Sequence, residues 1–266
     1  MIYAFLIDIL VLLIWSSQYQ WWRRTISYQH PRILMYHMVS QHRPGAKFNK
    51  LRVPPEQFER QIAYLAENGW TFAHMSELAK PLPEKTVVLT FDDGYRDNLI
   101  QATPVLERYK AKATLYLVVD RFERDWSTAK KAHHDSGELM QEPKLSDDEV
   151  KGMLASEVWE LGAHTLTHAN LPVTAEPKRT QEISGGREAL QQSFDQDVPS
   201  FAYPFGIYNA EDVRLTEQAG FDFAVTTQEG IDPLPYAKPL ELKRIKISGK
   251  EGLWSFKLRL RTGRRK

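Results

Sequence analysis

The chain has 266 residues, with 42% hydrophobic and 26% charged side chains, ordinary proportions for a folded globular protein. A net charge of +1 offers no global attraction to nucleic acid, and none is expected as a partner. Cysteine is absent, which excludes disulfides and thiolate metal sites, so any metal must be held by histidine and carboxylate.

The first element, Ile2 to Trp15, is apolar apart from Asp8 and is followed by Trp21, Trp22, Arg23 and Arg24. It is short of the roughly 20 residues of a spanning helix, but continuation through Trp22 reaches that length. Residues 1–25 are therefore expected to form a hydrophobic anchor or interfacial helix at a membrane surface. The alternative is a helix packed on the domain or on a partner. No positive residue precedes the apolar run, which disfavours a cleaved signal peptide. Arg23, Arg24 and Arg32 after the run favour a domain on the cytoplasmic side, with the opposite side as the alternative.

From about Arg32, β-prone runs alternate with helical stretches, the pattern of an α/β fold with parallel strands. The predicted strands are Ile33 to Val39, Val87 to Phe91, Ala113 to Val119, Glu160 to His164, Ser200 to Tyr203, Phe223 to Thr226 and Leu242 to Ile247. The predicted helices are Pro55 to Asn68, Arg96 to Tyr109, Ser146 to Ala155, Glu176 to Phe194 and Ala210 to Ala219. Arg121 to Lys144 is polar and irregular, as a binding loop or lid would be, and contains His133 and His134, for which solvation is the default. Trp126 and Trp159 are candidate stacking residues for a ligand, with the core as the alternative for Trp159. Residues 251–266 end the chain as a basic tail. In it, Trp254, Phe256, Leu258 and Leu260 alternate with polar residues, as in a last strand or a segment laid on anionic lipid.

Chemistry-bearing residues sit where these strands run out. Asp92 and Asp93 end one strand just before Gly94. Adjacent side chains point to opposite faces of a strand, but a glycine turn lets both carboxylates reach one site. An Asp-Gly turn with a helix cap is the simpler reading of the pair taken alone. His164 and His168, four residues apart, also follow a strand and could meet one ion. Tyr203, Pro204, Phe205 and Gly206 close a third strand, and His37 lies on a fourth.

TFDDG, HTLTH and YPFG, in that order, resemble the NodB-homology polysaccharide deacetylases, carbohydrate esterase family 4, over about Arg32 to Ile247. The resemblance implies a distorted (β/α)7 barrel over residues 30–250, added to the N-terminal hydrophobic helix. It also implies removal of N-acetyl groups from amino sugars with a divalent metal, usually zinc. By motif, Asp93, His164 and His168 would bind the metal and Asp92 would be the catalytic base. The segment Tyr203, Pro204 and Phe205 would serve the substrate oxyanion. The residue chemistry is consistent, because two imidazoles and one carboxylate leave coordination positions open for water and substrate.

The sequence departs from the commonest family pattern. No late histidine follows the strand ELKRIKISG, where Arg244 stands instead. The early His37 makes the chain similar to the permuted exopolysaccharide deacetylases, which implies His37 as the general acid. Arg244 either orients Asp92 or forms a plain surface ion pair. The expected substrate is an N-acetylhexosamine in a bacterial envelope glycan or its lipid-linked precursor, of lipopolysaccharide core or exopolysaccharide. The expected place is the bacterial inner membrane, on the cytoplasmic face, with the periplasmic face as the alternative. The rival readings are hydrolysis of another amide or a cyclic ureide, and a catalytically dead glycan-binding protein.

Overall fold

The computed structural model describes residues 2–19, 21–126, 130 and 136–264. Its centre is a closed parallel barrel. The strands β1 (Arg32–Tyr36), β5 (Thr86–Asp92), β6 (Ala113–Leu117), β7 (Trp159–Ala163), β8 (Ser200–Ala202), β9 (Phe223–Glu229) and β10 (Leu242–Lys246) form it. β1 closes the ring, pairing with β5 (Leu34 opposite Leu89) and with β10 (Leu34 opposite Ile245). A short β4 (Thr71–Ala73) adds to the first half of β5, while β2 (Met38–Val39) and β3 (Arg52–Val53) pair separately.

Strands covered on both faces read as near-continuous apolar runs, and β5 is buried at every position. Val87, Leu89 and Phe91 join Leu34 and Tyr36 in the layer between the barrel and the helix Pro55–Glu67, where Phe58 stands edge-on to Tyr36. Val88 alternates to the inner cluster with Ile33, Tyr116, Ala202, Val225 and Leu242. Each large apolar side chain in these layers contributes about 1.5–3 kcal/mol by leaving water. Thr90 and Asp92 follow Val88 on the inner face, so the strand period delivers a carboxylate to the barrel mouth.

Several boundaries differ from the sequence expectation. The strand predicted over Ile33 to Val39 breaks at His37, whose carbonyl accepts a hydrogen bond from Asn98 Nδ2 at 2.8 Å. The C-terminal alternation is not a strand but the helix Leu253–Thr262, with Phe256 and Leu260 in the core and Trp254 exposed. Arg32 is fully buried in the fold, with Nε donating to the Leu260 carbonyl at 2.9 Å. The irregular segment keeps Trp126 and Leu139 buried beside Met38 and Tyr95, whereas His133 and His134 lie outside the described residues.

At the N-terminus, Ile2–Tyr19 is a helix with Phe5, Leu6, Ile7, Leu10 and Leu13 exposed, followed by exposed Trp21 and Trp22. Among the described residues no helix is long and apolar enough to cross a membrane.

Candidate active site

The two aspartates reach one cavity by different means. Asp92 is aimed inward by strand alternation, but Asp93 would face outward if the strand continued. Instead, Asp93 takes φ 79 and Gly94 φ 74, which turns the second carboxylate back to the mouth. A side chain at Gly94 would come within 2.5 Å of Leu117 Cδ1, so the turn also needs a bare backbone there. Thr165 (φ 66), His168 (φ 59) and Phe205 (φ 60) share the left-handed region, each at a cost on the order of 1–3 kcal/mol. Asp93, His168 and Phe205 of these line the cavity, where such strain can serve function.

Asp93 Oδ1 lies 3.4 Å from His164 Nε2 and 3.4 Å from His168 Nε2. The three potential ligand atoms lie within 4.8 Å of one another, and all three residues are buried. His164 Nδ1 sits 2.7 Å from the Ala202 carbonyl, which can only accept. Nδ1 therefore carries the hydrogen and the Nε2 lone pair is left for an ion. Burial pushes the Asp93 carboxyl upward, but the two histidines outweigh it and hold it well below the usual carboxylate range. Burial also lowers His168, against the pull of Asp93. The donor set fits a divalent metal with open coordination positions.

Beside it, Arg244 grips Asp92 with both ends of its fork, Nη1 to Oδ1 at 2.7 Å and Nη2 to Oδ2 at 2.8 Å. Its remaining hydrogen bonds go to the Thr226 carbonyl and Thr90 Oγ1, so the guanidinium is fixed on the barrel wall. Burial would raise the Asp92 carboxyl, yet the Arg244 charge and hydrogen bonds hold it below its ordinary value. His37 Nε2 stands 4.0 Å from Asp92 Oδ2.

These groups floor a cleft of about 560 Å³ lined also by Tyr203, Phe205, Trp126 and Leu139. Tyr203 points its hydroxyl at the Leu240 carbonyl and stacks on Tyr208, while Pro204 is buried. The Phe205 ring meets His168 edge-on at 4.4 Å, and Trp126 lies 4.9 Å from the same imidazole. Trp159 is a core residue, its Nε1 donating to Thr103 Oγ1. His30, His42 and His74 each meet backbone elsewhere.

A family model described as "Polysaccharide deacetylase" matches residues 79–224, more than half of the chain and the stretch holding both aspartates and both histidines. The chain belongs to the polysaccharide deacetylase family. It is 30% identical over 204 residues to YxkH of Bacillus subtilis, a candidate polysaccharide deacetylase, covering 74% of this chain and 64% of that one. It is 23% identical to the poly-β-1,6-N-acetyl-D-glucosamine N-deacetylase of Staphylococcus aureus, covering 66% of this chain and 61% of that one. The match thus spans less than two thirds of either curated relative. Among solved structures, deacetylase PplD of Streptococcus pyogenes in complex with acetate superposes with a TM-score of 0.70 at 26% identity, covering 86% and 95% of the two chains.

Within this polysaccharide deacetylase fold, one wall of the cleft escaped the sequence reading. Glu229 at the end of β9, Glu251 and Arg259 line it, with Arg259 donating to Glu251 Oε2 at 2.7 Å and also bonding Glu229. Glu251 and Arg259, from the stretch expected to be a tail, therefore line the cleft. A buried arginine in a basic stretch carries no signal until its two glutamates are placed beside it.

Proposed function

We propose that the protein is a metal-dependent de-N-acetylase acting on an N-acetylhexosamine of a bacterial envelope glycan. The observation that carries this is the Arg244-clamped Asp92 on the floor of the cleft that holds the Asp93, His164 and His168 cluster. The named substrate of the Staphylococcus aureus relative and the acetate held by the Streptococcus pyogenes structure support the same chemistry. Zinc suits a donor set of two imidazoles and one carboxylate.

A divalent ion on Asp93, His164 and His168 would supply Lewis acidity, polarising the acetyl carbonyl and lowering the pKa of water from 15.7 to about 7. Asp92, kept ionised by Arg244, takes a proton from the attacking water as the water oxygen bonds to the carbonyl carbon. Each Asp92 oxygen keeps a lone pair for this, since Arg244 uses only one on each. The Tyr203 amide donates to Val225 and the Gly206 amide to Tyr203, while proline has none. The Phe205 amide is thus the donor of this turn for the developing oxyanion. His37 gives its proton to the sugar nitrogen as the carbon–nitrogen bond breaks, so acetate and the amino sugar leave.

The glycan is met at a membrane surface, as an exopolysaccharide or a lipid-linked precursor, at the bacterial inner membrane and on its cytoplasmic face. The exposed apolar helix Ile2–Tyr19 with Trp21 and Trp22 after it supports this placement. Acetate release from N-acetylglucosamine oligomers by the zinc-loaded protein tests the function. Asp92→Asn should lose release and keep the metal, and an undiminished rate in that variant would refute the role of Asp92.

A further inference from the structure

The proposed chemistry uses none of the lysines that line the cleft, Lys50, Lys130 and Lys246. β10 alternates Leu242, Arg244 and Lys246 toward the barrel interior, and the last of these stands at the mouth, opposite Met35 in register. Lys50 lines the same cleft. Its carbonyl accepts from the Gly249 amide at 3.1 Å, and a side chain on Gly249 would come within 1.6 Å of the Arg52 carbonyl. The loop after Lys246 is thus pressed onto the segment that carries Lys50, and both lysines line the one cleft.

The other charged groups of the cleft have partners, and Lys130 lies over the Phe205 ring. Arg244 is spent on Asp92, and Arg259 on Glu229 and Glu251. Lys50 and Lys246 have no ion-pair partner among the described residues, and Lys246 is half-buried. Two lysines without an ion-pair partner on the lining of a cleft can attract and orient an anion.

We infer that Lys50 and Lys246 form an anion-recognition subsite, and that the preferred substrate is an N-acetylated amino sugar bearing, or adjoining, a carboxylate or phosphate. The inference rests on the de-N-acetylase reading for its reaction but not for its binding.

The test uses the full chain and three probes: neutral N-acetylglucosamine oligomers, oligomers alternating N-acetylglucosamine with a uronic acid, and N-acetylglucosamine 1-phosphate. Binding is followed calorimetrically and turnover by acetate release. The wild type should favour at least one anionic probe over the neutral one by about tenfold, an advantage that shrinks as salt rises. Whichever anionic probe gains separates the carboxylate source from the phosphate source. In Lys50→Gln/Lys246→Gln, checked for folding by its melting curve, the anionic-to-neutral ratio should fall to near one. Equal binding of neutral and anionic probes by the wild type, or an unchanged ratio in the variant, would overturn the subsite. Anion-selective binding without acetate release from any probe would instead overturn the de-N-acetylase reading and leave the subsite standing.

Discussion

Arg244 and Asp92, 152 residues apart, form a buried two-point ion pair with contacts of 2.7 and 2.8 Å. The closed ring makes it, because β1 stands between β10 and β5 and both strands aim these residues inward. Removing one partner of such a pair leaves a buried charge uncompensated, at about 3–5 kcal/mol. Arg244→Gln is expected to lower the unfolding free energy by about that much, and Arg244→Lys to restore only part of it, because an ammonium lacks the fork. Denaturant titration of the two variants measures this.

The same pair is expected to set the acid side of the pH profile. In the proposed mechanism activity requires ionised Asp92 and falls as pH drops through its pKa. Arg244 holds that pKa below the ordinary carboxylate value against burial, so the wild-type base stays charged in mild acid. Without the guanidinium, burial dominates and the pKa rises. In Arg244→Gln the acid limb of kcat/KM attributable to Asp92 should therefore move to higher pH, and a limb that stays in place would count against Asp92 as the base.

His37 stands 4.0 Å from Asp92 but outside the metal-ligand cluster. His37→Gln should reduce kcat by about 10²–10⁴-fold, the usual worth of a general acid, while metal affinity stays near that of the wild type. An equal loss of metal would reassign His37 as a ligand.

Gly206 holds φ 67 in the turn beside Phe205, and an added Cβ would meet Thr227 Oγ1 at 2.0 Å. Gly206→Ala should cost about 1–3 kcal/mol and displace the Phe205 amide, lowering kcat more than it raises KM. Melting curves and steady-state kinetics on the one variant read both effects.

The sequence made the candidate metal-binding cluster legible because its signals are local. Asp93 lies beside a glycine, and His164 and His168 stand four apart where β7 ends. It did not reveal that Asp93 itself would take a left-handed backbone, since that depends on the cavity. Whether Arg244 met Asp92 or stayed on the surface could not be decided without closing the barrel. The C-terminal helix was misread for a geometric reason. Phe256 and Leu260 alternate as on one face of a strand, yet lie four apart, so they also share a helix face. The short β4 carries only three residues, too few to show any period.

Metal content and acetate release measured on the same preparations test the central claim most directly. Wild-type protein should bind one divalent ion per chain, while Asp93→Asn and His164→Gln should bind it far more weakly and release no acetate. Chelation should silence the wild type and added zinc should restore it. Acetate release that continues at full rate after the metal is stripped would contradict the account.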